Sequence, residues 1–188
     1  MRSRSWLWVG AILALTFGSL PTGSAAPVVL ADDSQIRISE VGCDGQTGDF
    51  VELRNPDRKL PAAIGGWLLT DRPLSETGSS HRYVLPANAK IAANGRFVIG
   101  ANRLPFGIDC GTDDLILARN RGADFASVDQ LRVPNLSGAA TWNLRSDGTY
   151  ALGRATPGAS FKSVAGDLDQ AGWLFDPTVE YLIDATID

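Results

Sequence analysis

Two cysteines, a set of acids and one histidine are the residues whose types and spacing could do chemistry here. Cys43 stands in "CDGQTGD" and Cys110 in "DCGTDD". Two cysteines in an exported chain, which the leader described below implies, most often pair. The chain-entropy account gives a loop of this length about 4 kcal/mol of stabilisation. A Cys43–Cys110 bridge would bring Asp44 and Asp49 towards Asp109, Asp113 and Asp114. Carboxylates crowded at one end of a domain raise one another's pKa or attract a cation. An all-oxygen set suits Ca²⁺, so this rim is the candidate calcium site, with a solvated acidic edge as the alternative. A further stretch, "GDLDQAGW", sets Asp167, Asp169 and Gly172 as in an EF-hand loop. Ala171 and Thr178 occupy places where that loop needs ligands, which removes it.

His81 lies in "SETGSSHRY", next to Ser79 and Ser80. Adjacency in sequence does not make a triad, which needs an orienting acid in space. A polar loop before a strand predicts a solvated ring. The chain has no G-x-S-x-G and no phosphate loop. One histidine and two paired cysteines do not make a zinc set. The expectation is therefore no catalytic residue, no enzyme, and no cofactor beyond the candidate calcium. Trp67, Trp142, Phe97 and Phe106 could form a carbohydrate-stacking platform. Trp67 and Phe97 fall in predicted strands and read as core. Trp142 follows a Gly/Ala-rich loop and is the candidate binding residue.

The N-terminus points to export. Arg2 and Arg4 precede an uncharged, mostly apolar run over 6–20, which Pro21 and Gly23 break. Small residues from Gly23 to Ala26 follow. This is the three-part layout of a secretory signal peptide, placed at residues 1–26 with cleavage after Ala26, or else after Ala31. The run is shorter than the ~20 residues of a membrane span, which favours a cleaved leader over the alternative of a retained N-terminal anchor, and no membrane span is expected in the mature chain. Of 17 Lys+Arg and 21 Asp+Glu, the leader removes two arginines and no acid. The mature balance is 15 against 21, a formal charge of −6. Such a balance argues against nucleic acid as partner, because phosphate backbones need clustered Lys/Arg. The localisation expected is secreted or extracytoplasmic, and the partner an unidentified protein or carbohydrate at the cell surface.

The elements that must position these residues are strands. Gly, Pro, Asn and Asp interrupt the mature chain every eight to twelve residues, and β-branched and aromatic runs lie between. That spacing predicts an all-β sandwich or barrel. The strands fall at 36–41, 49–55, 66–70, 82–85, 96–99, 114–118, 127–131, and 142–144 with 150–152. "NPDR" suits a type I turn, and "ANG" and "SDG" carry hairpin signals. In "IRISEV", alternation puts Ile36, Ile38 and Glu40 on one face. In "DFVELRN", Val51 and Leu53 share one face, while Phe50, Glu52 and Arg54 share the other. Glu40, at the end of an apolar face, needs a partner. For both acids the expected partner is a cross-strand cation or a backbone turn.

The order "IRISEV", "GDFVELRNP", "IGGWLLTD", "YVLPANAKIAANGRFVIG", "DDLILA" and "ATPGAS" resembles the lamin-tail domain family. The resemblance covers about 35–160. It implies an immunoglobulin-like β-sandwich over 34–161 that serves as a binding or architectural module. A leader peptide does not fit the nuclear-lamina setting of the eukaryotic relatives. Residues 162–188 read as a linker and a single strand. The closing "WLFDPTVEYLIDATID" alternates apolar and polar residues from Val179 to Asp188 and is similar to the opening strand of CotH-type spore-coat kinases. That resemblance implies a truncated domain whose nucleotide and metal motifs would lie beyond Asp188. The alternative is that this strand pairs with an edge of the sandwich. The two functional expectations are thus an exported, non-catalytic binding or spacer module, and the N-terminal accessory region of a longer CotH-like kinase.

Overall fold

The computed structural model describes residues 30–43, 48–76, 78–136 and 139–161. The expected leader at 1–26 and the strand at 173–188 lie outside the described residues. Within them the chain is all-β and antiparallel, with only two three-residue 3-10 turns, Asp33–Gln35 and Ser79–His81. The strands are β1 (Arg37–Gly42), β2 (Phe50–Arg54), β3 (Ala62–Ala63), β4 (Leu68–Thr70), β5 (Arg82–Val84), β6 (Lys90–Ile91), β7 (Arg96–Gly100), β8 (Asp114–Asn120), β9 (Phe125–Arg132), β10 (Ala140–Leu144) and β11 (Tyr150–Arg154).

They form a five-stranded sheet in the order β11-β10-β1-β2-β7, a four-stranded sheet β5-β4-β8-β9, and a two-stranded ribbon β3-β6. Side chains from both larger sheets meet in one buried cluster, which makes the arrangement sandwich-like. Ile38, Val41, Val51, Leu53 and Ile99 come from the first sheet, and Leu69, Leu115, Leu117 and Leu131 from the second. Period-two alternation explains this directly, since Val51 and Leu53 face inwards and Glu52 between them must face outwards. Every strand read from the sequence between residues 36 and 152 is present. The two-residue strands β3 and β6 were not foreseen.

Two local expectations change. Ile36 and Ile38 enter the core, but Glu40 does not follow them. The pairing of β1 with β2 runs Ile38↔Leu53 and then Glu40↔Glu52, so Ser39 is the extra residue of a β-bulge. A bulge shifts the side-chain phase by one, so Val41 takes the core face and Glu40 turns to the outer face beside Glu52. The second change concerns "ANG". Asn94 adopts a positive φ of 53° and Gly95 N donates to Ala92 O, as a tight turn requires. The strands it joins do not pair with each other, however: β6 pairs with β3 and β7 with β2. "SDG" is a true hairpin between β10 and β11, with Gly148 at φ 88°.

Candidate functional site

The outer face of the five-stranded sheet carries a buried polar cluster built from β1, β2, β7 and β10. The bulge at Ser39 sets Glu40 directly across from Glu52, and both are 1% exposed. Neither acid is left bare. Glu40 Oε1 accepts from Thr141 Oγ1 at 2.9 Å and from Thr156 N at 2.7 Å, and Oε2 accepts from Thr156 Oγ1 at 3.0 Å. Glu52 Oε1 accepts from Ser39 Oγ at 2.7 Å and is paired with Arg96 Nε at 2.9 Å. Its Oε2 accepts from Gly158 N at 2.6 Å. Both kinds of partner expected from sequence, a cross-strand cation and a backbone turn, are therefore present.

The turn in question is "ATPGAS". Residues 155–161 cross back over the sheet, held by Glu40 at Thr156 and by Glu52 at Gly158. Gly158 takes φ 81°, a conformation open to glycine at little cost. Phe161 closes over β11 at Gly153, where an added Cβ would come within 2.6 Å of its ring. We call this segment the strap. Burial pushes the Glu40 carboxyl above its usual range, against hydrogen bonds from Thr156 and Thr141 that pull it down. A pocket of about 220 Å³ opens beside the strap, and Arg54, Arg96, Asn143 and Phe161 are among the residues that line it.

A second polar cluster ties β1 to the other sheet. β10 pairs with β1 only at Glu40 and Val41, so the edge of β1 at Ile38 needs other partners. Asp129 Oδ2 accepts from Ile38 N at 2.7 Å, and Tyr150 Oη donates to Ile38 O at 2.5 Å. Burial raises the pKa of both Asp129 and Tyr150.

Cys43 and Cys110 are bonded, with Cα atoms 5.7 Å apart. Three of the acids around the bridge, Asp49, Asp113 and Asp114, are engaged separately. Asp49 Oδ2 accepts from Ile108 N at 2.9 Å. Asp113 Oδ2 accepts from Asp109 N at 2.7 Å, and burial holds the Asp113 carboxyl above its ordinary range. Asp114 pairs with Arg132 at 3.0 Å. Among the described residues no three His, Cys, Asp or Glu side chains are grouped as a cation would need. Asp44 lies outside the described residues.

His81 is not the freely solvated ring expected. Its Nδ1 lies 3.0 Å from both oxygens of Asp71, and the side chains are 38% and 5% exposed. Its ring stacks on Phe106 at 6.3 Å. This supplies an orienting acid, but among the described residues no hydroxyl is bonded to His81, so the pair is two members of a triad without a nucleophile. Asp71 is ten residues upstream, in a loop, where no sequence pattern signals the pairing.

The aromatics do not form one platform. Trp67 and Phe106 are buried, and Phe97 packs against the core. Trp142 is half-buried, packs against the core and stacks on Tyr150 at 6.2 Å. No helix among the described residues is long and apolar enough to cross a membrane. Comparison with protein-family models, with curated proteins and with solved structures gives no match.

Proposed function

We propose that the chain is an exported, non-catalytic module of lamin-tail type and immunoglobulin-like architecture, acting as a binding or spacer unit at or near the cell surface. One observation carries the reading: the acids nearest the pocket hold the strap. Each oxygen of Glu40 and Glu52 accepts a hydrogen bond from a structural donor. Acids placed for general acid–base work keep an oxygen directed at substrate, whereas these clamp one part of the chain to another. The clamp also joins "IRISEV", "GDFVELRNP" and "ATPGAS", three of the motifs on which the resemblance rests. The Cys43–Cys110 bond is compatible with an extracytoplasmic setting. Ala31 is buried in the core cluster and its N–H donates to Pro61 O, which favours cleavage after Ala26 over cleavage after Ala31.

The accessory reading, in which this domain precedes a CotH-like kinase, is favoured by the strap itself. It fixes the course of the chain up to Phe161 and so could orient a domain that follows. Fractionation of the producing cell, followed by addition of purified protein to its envelope, tests the main reading. We expect the protein outside the cytoplasm, oxidised, with saturable retention if it binds and none if it is a spacer. Reduced protein confined to the cytoplasm would overturn both forms.

A further inference from the structure

The pocket beside the strap contains a cation that its surroundings do not satisfy. Arg54 and Arg96 are direct cross-strand neighbours in β2 and β7, and both line the pocket. Arg96 is committed to Glu52 at 2.9 Å. Arg54 has a long contact, 3.5 Å, to Asn94 Oδ1, while its Nε is buried with no hydrogen-bond partner. Among the described residues no carboxylate pairs with Arg54. The two acids of the pocket do not serve it, because Glu52 is taken by Arg96, Ser39 and Gly158, and Glu40 by Thr141 and Thr156.

A buried donor on a charged group is normally satisfied, and an unmet one calls for an explanation. Nε itself is closed to solvent, so a ligand would meet the terminal nitrogens of Arg54, and the acceptor that matches that fork is a planar oxyanion bound through two parallel N–H bonds. The space available is about 220 Å³, below the ~300–1,000 Å³ of sites for drug-sized ligands. Around it stand the polar side chains of Asn143 and Ser146 and the ring of Phe161. Asn143 spends its Nδ2 on Thr141, which leaves its carbonyl oxygen to face a hydroxyl or amide donor.

We propose that this pocket binds a small carboxylate-bearing ligand, one sugar ring or one amino acid in size, with its carboxylate on Arg54 and its polar body against Asn143 and Ser146. The inference rests on the binding form of the proposed function. It can fail alone, since an exported protein retained by the envelope through another surface would still satisfy that reading. The shared chemistry is the carboxylate, and two sources present it: a uronic acid of an acidic polysaccharide, or the C-terminus of a peptide.

The test is a titration of the full chain, oxidised, with D-glucuronate, N-acetylalanine, D-glucose and inorganic sulfate, followed by NMR of the arginine Nε–H signals. We expect the Arg54 signal to move saturably with one of the two carboxylates, and the tighter of the two identifies the source. Glucose, which lacks the carboxylate, leaves the signal in place. Arg54→Gln weakens the binding by at least about tenfold, the loss of a charge-assisted bond. Arg54→Lys, which keeps the charge without the fork, also weakens it, and dispersed amide spectra check that both variants fold. The proposal is overturned if neither carboxylate saturates at concentrations on the order of 10 mM. It is equally overturned if glucose or sulfate binds as tightly as the carboxylates, or if a folded Arg54 variant binds unchanged.

Discussion

Glu40 and Glu52 oppose each other across β1 and β2, both almost wholly buried, yet Glu52 alone of the two has a described cation, Arg96 at 2.9 Å. The two acids hold the same strap by different means, and their substitutions should separate. In Glu40→Gln, the amide oxygen can keep the bonds from Thr141 Oγ1 and Thr156 N, and the new NH₂ can donate to Thr156 Oγ1. We expect a change within about 1 kcal/mol of wild type. In Glu52→Gln, one oxygen becomes a donor facing either Gly158 N or the Arg96 side, and the ion pair is lost. Breaking a buried pair by removing one partner typically costs about 3 kcal/mol or more. Urea unfolding of the two variants checks this; equal losses would contradict it.

Stability should rise on mild acidification. Burial raises the carboxyls of Glu40, Asp113 and Asp129 in the folded state. A raised carboxyl contributes stability that is fully present below its unfolded value, here 4.5 for Glu40 and 3.8 for the aspartates. That contribution disappears as pH climbs through the folded value. Asp32, Asp57 and Asp147 act in the opposite sense. Hydrogen bonds from Ser34, Lys59 and Thr149 lower them, so their contribution is lost as pH falls through values below 3.8. The urea midpoint should therefore increase as pH falls from neutrality towards 4.5 and fall again below 3.8. Glu40→Gln should remove part of the increase. A wild-type midpoint that falls steadily from neutrality would contradict the assignment.

The disulfide closes a loop between residues 67 apart in sequence. Replacing Cys43 and Cys110 by alanine should cost about 4 kcal/mol, the loop entropy returned to the unfolded chain. Equilibrium unfolding of the double variant measures it. No loss would mean that the unfolded chain is already held compact by other contacts.

The acids at the bridge provide the calcium test. Asp49 and Asp113 each accept a backbone N–H, and Asp114 is paired with Arg132. Each of these acids already has a partner, and Asp114 would have to leave Arg132 to take an ion, so thermal midpoints in Ca²⁺ and in chelator should be equal. A clear rise with Ca²⁺ would favour a site in which Asp44 takes part.

Much of the fold was legible in the sequence because alternation and turn residues report on local geometry. The strands at Phe50–Arg54 and Arg96–Gly100 follow from period-two patterns, and "SDG" from the backbone freedom of Gly148. What was missed depends on relationships between distant residues. An in-phase reading of "IRISEV" cannot detect a bulge at Ser39, which exists only through the pairing with β2. β3 and β6, at two residues each, are too short to have a period. Glu40 and Glu52 were seen to need partners, but Thr156 N and Gly158 N lie 116 and 106 residues away, and backbone donors leave no mark in a side-chain pattern. The unmet Arg54 Nε likewise emerges only once β2 and β7 are side by side.

The central claim, an exported and disulfide-clamped module, is tested most directly by the intact mass of the native product, recovered from medium and envelope, with and without reductant. The account predicts a product that begins at Pro27 and gains two hydrogens on reduction, for the Cys43–Cys110 bond. A product that retains Met1 to Ala26, stays in the cytoplasm and does not change mass on reduction would contradict it.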